Sequence, residues 1–470
     1  MQILCIPPPN ICPEQLKTKK MKDLKSYLDF TPNHDQQNAL NAIQRFLELD
    51  EHNVFILDGS AGTGKTTVVK AVVDSLLEED AKLYLSAPTG RAAKVLGKKA
   101  GFPARTNHSL IYDAEPLENG GVKFNLSTNE VREKTVFIID EASMISDQLN
   151  RNEFFLTFNS LLSDLFKFVR QGHKENKVVF IGDKCQLPPV STDGFDFSPA
   201  LSKAYLERHH ACSVTGATLR QVMRQEGGSR VLDIATSLRD GIENGTAVEV
   251  AIPQFQRAYQ GYGYFKNQFD ATRLDNICVI AYTNSDVNHW NKRLRLELHN
   301  STLPLISGEH VILDSNWMSG RTFLMKGEGA IVEDVSANTE SYAGLKFQDV
   351  TISVENATGE RLRFKSKCLI DVLQTDNGNL HPEQEKALVA ESKRRNKIYR
   401  ESGKINDDPY VGALRLRYGY ALTCHKAQGG EWEQVLVHPY LPQGNAERWL
   451  YTAITRARNE VISWPGFKAA

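Results

Sequence analysis

The sequence is poor in cysteine and contains no long apolar run. Its seven cysteines include no C-x-x-C pair and show no regular spacing, which argues against a disulfide scaffold and favours a reducing compartment. No run approaches the ~18–20 apolar residues that a membrane helix requires. Residues 1–13 lack the basic segment and apolar core of a secretory signal. These absences predict a cytoplasmic protein without a membrane span.

An excess of either charge is also missing, since 56 Lys and Arg oppose 57 Asp and Glu. A near-neutral chain is not expected to coat nucleic acid over its whole surface. The average conceals one asymmetry, because residues 91–105 contain five basic residues and no acid. A solvated basic face is the ordinary interpretation of such a run, and phosphate binding is the alternative.

The chain has 470 residues, 41% of them hydrophobic, which is enough for about two to four domains. Short β-branched or aromatic runs alternate with helical patterns, and this alternation predicts a parallel sheet covered on both faces. The strand-like runs are 53–57, 82–86, 136–139, 178–181 and 277–280. A second α/β region begins near Leu219. From about 300 to 410 it is interrupted by short β-like runs between polar turns, which predict a small β-barrel insertion.

A break in the first α/β region indicates a further insertion. The Asn-Gly-Gly turn at 119–121, between short apolar runs, predicts a hairpin. The chain is therefore expected to comprise an N-terminal extension (1–30), a first domain (31–212) with a hairpin insertion (about 105–134), a second domain (213–300 and 411–470) and a β-barrel insertion with a charged segment (301–410).

The clearest chemical motif is GSAGTGKT at 59–66, between a predicted strand and a predicted helix. It matches the phosphate-loop pattern G-x-x-x-x-G-K-[ST] in the context that the pattern requires. Its glycines allow backbone N–H groups to converge on phosphate oxygens at the positive end of the following helix. Lys65 is placed to reach the β- and γ-phosphates, and the Thr66 hydroxyl to bind Mg²⁺. The motif predicts nucleotide binding.

Two acids, Asp140 and Glu141, follow the apolar run at 136–139. At the carboxyl edge of an open parallel sheet they would lie beside the phosphate loop. Asp140 is then placed to bind Mg²⁺, and Glu141 to position and activate the attacking water. Such a pair is by itself often a solvated strand end, but the phosphate loop favours the catalytic interpretation. The pair, without a protein-kinase signature, predicts a hydrolase or motor.

The order of further motifs resembles the superfamily 1 helicases, and among them superfamily 1B, the RecD- and Dda-like branch. The resemblance spans roughly residues 31–465. It is carried by Gln36, SAPTGRAAK at 86–94, TNHS at 106–109, GDKCQLPPV at 182–190, residues 219–225, AYTN at 281–284, TCHKAQG at 423–429 and LYTAITRAR at 450–458. Asn107 departs from the family, which usually has an aliphatic residue there. The resemblance implies an α/β fold with two RecA-like parallel-sheet motor domains, a small hairpin insertion in the first and an SH3-like β-barrel insertion in the second.

The resemblance also implies ATP and Mg²⁺ as cofactors and assigns residues to them. Gln36 would read adenine, with Gln37 as the alternative, and Tyr282 would pack near the base. The catalytic set would be Lys65, Glu141, the γ-phosphate contacts Gln186 and Arg224, and the arginine finger Arg456. The nucleotide-binding set would be Gln36, Gly59, Ser60, Ala61, Gly62, Thr63, Gly64, Lys65, Thr66, Thr67 and Tyr282. The metal set would be Thr66 and Asp140.

Single-stranded and forked DNA are the partners that the resemblance implies. The contacting residues would be Pro88, Thr89, Arg91, Lys94, His108, Phe124, Thr423 and His425. Phe124 would stack on bases or wedge between them at a strand-separation hairpin. An ordinary surface hairpin is the equally weighted alternative.

The second insertion predicts the direction of movement. UvrD-like relatives move 3′→5′ and carry a long helical insertion in the second motor domain. Here the insertion at about 300–410 has a β pattern, like that of 5′→3′ relatives, so we expect 5′→3′ translocation on single-stranded DNA. An RNA-directed translocase, or an ATPase that does not unwind, is the alternative. We further expect a monomer that works with replication or recombination proteins.

Overall fold

In the first half of the chain, the described residues build a six-stranded parallel sheet. The computed structural model describes residues 21–116, 122–149, 151–152, 155–157, 159–190, 196–223, 230–319, 322–356, 360–375 and 379–467. The strands of this half are β1 (Val54–Gly59), β2 (Lys82–Ala87), β3 (Ala104–Thr106), β4 (Tyr112–Pro116), β5 (Val122–Leu126), β6 (Thr135–Ile139), β7 (Arg151–Asn152), β8 (Phe155–Leu156), β9 (Lys177–Gly182) and β10 (Val214–Leu219). The helices are α1 (His34–Glu48), α2 (Lys65–Glu78), α3 (Gly90–Ala100), α4 (Asn107–Ile111), α5 (Leu161–Gln171) and α6 (Lys203–His210). The sheet order is β10-β1-β9-β6-β2-β3.

Both faces of this sheet are covered because its inner strands are apolar on both sides. Phe55 and Leu57 of β1 pack with α1, α2 and α3. Val54 and Ile56 point the opposite way and pack with α4, α5 and α6. This is the parallel α/β arrangement that the alternating sequence pattern predicts. Because β1, β9 and β6 are neighbours, the loops that follow them meet at one edge of the sheet.

Two predicted boundaries of the first domain are wrong. Strand β10 pairs in parallel with β1, so the domain extends to Leu219 and does not end at residue 212. Residues along β10 are in part exposed, and the strand therefore lacks the continuous apolar run of the inner strands. Leu24 also belongs to this domain, since it is fully buried in the core under α1 and α2, whereas the sequence predicts a separate extension over 1–30.

A second parallel sheet forms the other α/β domain. The elements from residue 230 onward are α7 (Arg230–Asn244), α8 (Ala258–Gln268), β11 (Ile277–Ala281), α9 (Asn284–His299), β12 (His310–Leu313), β13 (Trp317–Ser319), β14 (Thr322–Leu324), β15 (Gly329–Tyr342), β16 (Leu345–Glu355), β17 (Arg361–Leu369), α10 (Asp371–Gln374), α11 (Pro382–Arg395), α12 (Lys397–Ser402), β18 (Leu416–Tyr418), β19 (Ala421–Thr423), α13 (Cys424–Ala427), β20 (Trp432–Val437), α14 (Ala446–Ile454) and β21 (Ala457–Ser463). The sheet order is β19-β11-β20-β21. Cys278 and Ile280 of β11 pack with α7 and α14, whereas Ile277 and Val279 pack with α8 and α9. Along the described parts of the chain, no helix has the length and apolarity needed to cross a membrane.

The insertion in the second domain is an antiparallel sheet whose outer strands meet. Its order is β17-β16-β15-β12-β18. Leu414, just before β18, donates its N–H to the Lys367 carbonyl at 2.7 Å and accepts from Leu369 N–H at 3.0 Å. These bonds join β17 to the segment that leads into β18. The sheet therefore includes residues up to Tyr418 and does not end at residue 410, where the sequence predicts its limit.

The insertion in the first domain is smaller and contains strands β4 and β5. They pair antiparallel from Tyr112 opposite Leu126 to Pro116 opposite Val122, within the range 105–134. The turn predicted at 119–121 lies outside the described residues. Strand β8 continues this small sheet beside β5.

We expect the stability of the fold to fall in mild acid through His310. This side chain is 4% exposed and packs against Phe269 with ring centroids 4.5 Å apart. Burial lowers its pKa to about 4, so the neutral form is favoured in the folded state. The unfolded chain takes up the proton at its ordinary pKa of about 6.5, and stability is therefore lost as the pH falls below that value.

The measurement is urea unfolding at pH 7 and pH 5. Wild type should lose about 2 kcal/mol more than the His310→Asn variant between the two pH values. Equal losses in the two proteins would contradict the assignment to His310.

Candidate active site

The phosphate loop folds into a tight cradle between β1 and α2. Gly62 and Gly64 have φ angles of 78° and 87°, in the left-handed region that favours glycine. A Cβ on Gly64 would lie 2.4 Å from Gln36 Nε2, so the position has no room for a side chain. Lys65 Nζ donates to two carbonyls of the loop, at 2.5 and 2.9 Å. The ammonium group is thus held beside the loop, where phosphate oxygens can replace those carbonyls.

A cavity of about 470 Å³ opens beside this loop and is lined from both domains. The first domain and the segment after it contribute Ala61, Gly62, Gly64, Lys65, Thr66, Thr67, Lys70, Ala92, Val95, Lys99, Asp140, Glu141, Gln186 and Met223. The second domain contributes Gly429, Glu431, Thr455 and Arg456. Of the remaining loop residues, Thr63 turns inward and its hydroxyl donates to the Ser60 carbonyl at 2.8 Å. A cavity with walls on two domains is complete only when those domains are together.

Asp140 and Glu141 follow β6 and face this cavity. Glu141 has a φ of 48°, a left-handed conformation that is uncommon for a residue with a side chain. Its N–H donates to Asp140 Oδ1 at 2.8 Å. Burial raises the pKa of both carboxyls, and the nearby cations Lys65 and Arg456 oppose the rise. The Asp140 carboxylate and the Thr66 hydroxyl line one cavity, and oxygen donors of this kind suit Mg²⁺.

Gln186 connects Glu141 to an arginine of the opposite domain. Arg456, just after α14, is 4% exposed, and its Nη1 lies 3.8 Å from Glu141 Oε1. With its amide oriented to satisfy both neighbours, Gln186 donates to Glu141 Oε2 at 3.3 Å and accepts from Arg456 Nη2 at 3.2 Å. Glu141, Gln186 and Arg456, here called the cleft network, therefore form a continuous polar path between the domains.

A set of hydrogen bonds from α14 fixes the loop that carries Gln186. The Tyr451 hydroxyl donates to Asp183 Oδ2 at 2.6 Å, and the Thr452 hydroxyl accepts from Leu187 N–H at 2.9 Å. Arg448 donates to the carbonyl of residue 184. Sequence reasoning missed these helix residues. Their i, i+3, i+4 spacing, which places all three on one face of α14, is the signal that could have found them.

Comparison with known proteins agrees with this arrangement. A family model described as AAA domain matches residues 31–252, and one described as UvrD-like helicase C-terminal domain matches residues 418–462. The ATP-dependent DNA helicase dda of Enterobacteria phage T4 is 23% identical, over 91% of this chain and 98% of its own length. The ATP-dependent RecD2 DNA helicase of Deinococcus radiodurans is 26% identical, over 88% of this chain and 47% of its own length. The chain belongs to the superfamily 1B helicases.

Solved structures show that the fold of this superfamily 1B helicase is shared. The Pif1 helicase from Candida albicans superposes with a TM-score of 0.52 at 17% identity, covering 94% of this chain and 97% of that one. A Pif1 structure that addresses DNA unwinding at forked duplex DNA gives a TM-score of 0.52 at 18% identity, covering 93% of this chain and 92% of that one. At this identity the likeness concerns the fold.

The structure does not bring Gln36 or Tyr282 of this helicase into the cavity. Gln36 is 1% exposed. Its Oε1 accepts from Asn33 N–H at 3.2 Å and its Nε2 lies 3.4 Å from the Thr63 carbonyl. The side chain therefore supports the phosphate loop from behind, and it is not presented to adenine as predicted. Gln37 donates to a carbonyl of the preceding loop and does not replace it.

Tyr282 lies at the far edge of the second sheet from the cavity. It follows β11, whereas the cavity residues Gly429 and Glu431 precede β20, which runs parallel to β11. The length of a strand, at about 3.3 Å per residue, therefore separates them. Tyr282 is 45% exposed and is not among the residues that line the cavity, and its packing near the nucleotide base stays a prediction.

Basic helix α3 contacts the second half of the helicase. The Arg91 guanidinium lies over the Trp432 ring, 4.2 Å from its centroid. Lys94 Nζ lies 3.4 Å from Glu328 Oε1 of the insertion in the second domain. Arg91 is thus a contact between domains in this structure, and its contact with a strand stays a prediction. Lys94, also predicted to contact a strand, is paired with a carboxylate in this state.

Two predicted strand contacts, Thr89 and Thr423, cap the helices α3 and α13, which follow β2 and β19. Thr89 follows Pro88, and its hydroxyl accepts from Ala92 N–H at 3.2 Å. The Thr423 hydroxyl accepts from Lys426 N–H at 3.4 Å. Each cap orders the turn that follows its strand. His425 lies in the second of these turns, where burial lowers its pKa and a hydrogen bond to the Pro188 backbone opposes the shift.

Phe124 is the middle residue of β5, opposite Ala114 of β4. Its ring is 5.9 Å from that of His108 and 5.7 Å from that of Tyr112. Burial lowers the pKa of His108. The aromatic group therefore packs the hairpin onto the first domain, which differs from the predicted wedge. Arg224, the predicted γ-phosphate contact, lies outside the described residues.

Replacing Arg456 by lysine should uncouple the two domains while retaining a positive charge. One ammonium cannot contact Glu141 and Gln186 with the two-pronged geometry of a guanidinium. We expect kcat for ATP hydrolysis to fall by about 10²-fold or more, with a smaller change in the KM for ATP.

Arg293→Lys is the matched control for a steady-state ATPase measurement. Arg293 Nη2 lies 2.6 Å from Glu297 Oε1 within α9 of the second domain, and neither residue lines the cavity. Equal losses in the two variants would show that Arg456 has no special role in the reaction.

Proposed function

We propose that this superfamily 1B helicase uses ATP hydrolysis to translocate 5′→3′ on single-stranded DNA and to unwind forked duplexes as a monomer. The cleft network carries the proposal. It links the acid beside the phosphate loop to an arginine on the second domain, so the reacting end of a nucleotide would be sensed by both domains. Hydrolysis and domain movement would then be coupled.

The residues around the cavity support a division of labour in hydrolysis. Lys65, Thr66 and the loop N–H groups would hold the phosphates. Thr66 and Asp140 would hold Mg²⁺, which would offset phosphate charge when bound. Glu141, whose pKa is raised by burial, would orient the attacking water and accept its proton. Arg456 would stabilise the negative charge that develops on the γ-phosphate oxygens.

Closing and reopening of the cleft would convert this chemistry into movement. A nucleotide that contacts both cavity walls favours the closed state, and loss of the γ-phosphate removes that preference. The hydrogen bonds of α14 to Asp183 and Leu187 would carry the change to the loop that holds Gln186. Thr89 and Thr423, one on each domain, would alternate their grip on the strand.

DNA as the substrate is supported by the relatives. The similar phage T4 and Deinococcus radiodurans proteins are both named ATP-dependent DNA helicases, and a similar Pif1 structure contains single-stranded DNA. The direction rests on the insertion in the second domain, which we interpret as an SH3-like barrel because its outer strands are joined through Leu414. The β4–β5 hairpin remains our candidate for strand separation.

Direction can be tested on forked substrates with a single tail. We expect ATP-dependent strand displacement from a duplex with a 5′ tail and little from one with a 3′ tail. Unwinding only from the substrate with a 3′ tail would contradict the proposed 5′→3′ direction. Stimulation of the ATPase by an RNA strand in preference to a DNA strand of the same sequence would favour the RNA-directed alternative.

Lys65→Ala tests the nucleotide site itself. The substitution removes the ammonium group that now contacts two carbonyls of the phosphate loop. It should abolish strand displacement on either fork while leaving the protein folded, as judged by circular dichroism. Retained unwinding with ATP would refute the mechanism.

A further inference from the structure

Lysines on α3 are engaged by carboxylates of the barrel insertion. Lys94 Nζ lies 3.4 Å from Glu328 Oε1, and Lys98 Nζ lies 3.3 Å from Glu355 Oε1. We call Lys94 and Lys98 the lysine face. They are one helical turn apart and lie on the helix that Thr89 caps, so they continue the surface on which strand contact is predicted. The barrel and α3 therefore meet through two ion pairs, and in each pair the lysine belongs to α3 and the glutamate to the barrel.

The barrel turn that carries Glu328 packs directly on the start of α3. Glu328 Oε2 accepts from Met325 N–H at 3.2 Å, which leaves Oε1 directed at Lys94. A Cβ on Gly90 would lie 2.6 Å from Met325 Cβ, so the barrel turn touches the helix backbone. Lys94 and Glu328 are 22% and 12% exposed. In this state the turn covers the beginning of the helix and its first lysine.

We propose that the lysine face is a binding surface for the phosphodiester backbone, and that Glu328 and Glu355 occupy it in place of phosphates until a strand displaces them. This inference rests on the proposed function, since it requires a single strand that runs past Thr89. The two carboxylates would make the barrel a latch, closed onto α3 in the absence of DNA. Loading of a strand would then require the barrel turn to lift from Gly90.

The energetics suit a reversible exchange. The exposed Lys98–Glu355 pair contributes little because solvent screens it, whereas the Lys94–Glu328 pair is largely shielded from solvent. The Lys98–Glu355 pair, with side chains 58% and 46% exposed, should be the first to open. Phosphates that replace the carboxylates would also release counterions from the strand, which favours binding at low salt. Since the lysines already have anionic partners, the exchange should release fewer counterions than free lysines would.

Neutralising the carboxylates tests the latch. The full-length variant Glu328→Gln with Glu355→Gln should bind a fluorescent oligo-dT about three- to tenfold more tightly than wild type in fluorescence anisotropy. Its plot of log affinity against log salt should be steeper by about one unit, because two lysines are freed for phosphate. Lys94→Gln with Lys98→Gln should shift both quantities in the opposite direction.

Glu207→Gln is the matched control. It removes a carboxylate that pairs with Lys203 on α6 at 3.8 Å, far from the barrel, and should leave both quantities unchanged. If wild type binds oligo-dT and the Glu328/Glu355 variant binds it with the same affinity, the latch is wrong, and the proposed function is unaffected. Weaker binding by that variant would also overturn the latch, since the pairs would then hold the competent state. Failure of wild type to bind oligo-dT would overturn the latch and the proposed function together.

Discussion

A buried arginine that is paired across a domain boundary is the constraint on which the rest of this molecule depends. Arg456 is 4% exposed and faces Glu141 of the other domain. Removing such charges from water is costly unless an opposite charge and hydrogen bonds compensate. The compensation comes from Gln186 and from the Thr452 carbonyl, which accepts from Arg456 Nε at 3.1 Å. Neither charged group is fully accommodated without the opposite domain.

Helix α14 explains why this pairing is well defined. The same helix that leads into Arg456 also holds the Gln186 loop, through Tyr451 and Thr452. The arginine and the loop that carries the glutamine are therefore both attached to α14. On the opposite wall, the left-handed backbone of Glu141 turns its side chain toward them. The geometry of the cavity is consequently a property of the domain interface and not of one domain.

Local patterns in the sequence predict the fold well where an element is decided by its own residues. The run predicted as a strand at 53–57 is found as Val54–Gly59, and the phosphate loop lies between β1 and α2 as expected. The edge strand β10 escapes prediction because only part of each face is buried. The extension of the insertion sheet past residue 410 escapes it, because Leu414 pairs with Cys368, which lies far away in the sequence.

The site is less predictable because its contacts are between distant segments. The chemistry of Lys65, Asp140 and Glu141 follows from motifs within one sheet edge. The partner of Arg91 is Trp432, and a run of basic residues does not reveal whether it will meet phosphate, carboxylate or an aromatic ring. The position of Tyr282 relative to the cavity is likewise not determined by its motif, because the motif places the residue at a strand end without specifying which wall of the cleft that end faces.

The attachment of the barrel has a mechanical consequence. The chain enters the barrel through β12 and leaves it through β18, and these strands pair with each other, with Val311 opposite Tyr418. Strand β19 begins at Ala421, and only two residues separate it from the end of β18. A single flexible linker would let the barrel swivel freely, whereas a hydrogen-bonded ribbon resists torsion and yields mainly by bending. The insertion is therefore attached to the second domain through two paired strands, and its exit strand leads almost directly into β19, which ends at Thr423.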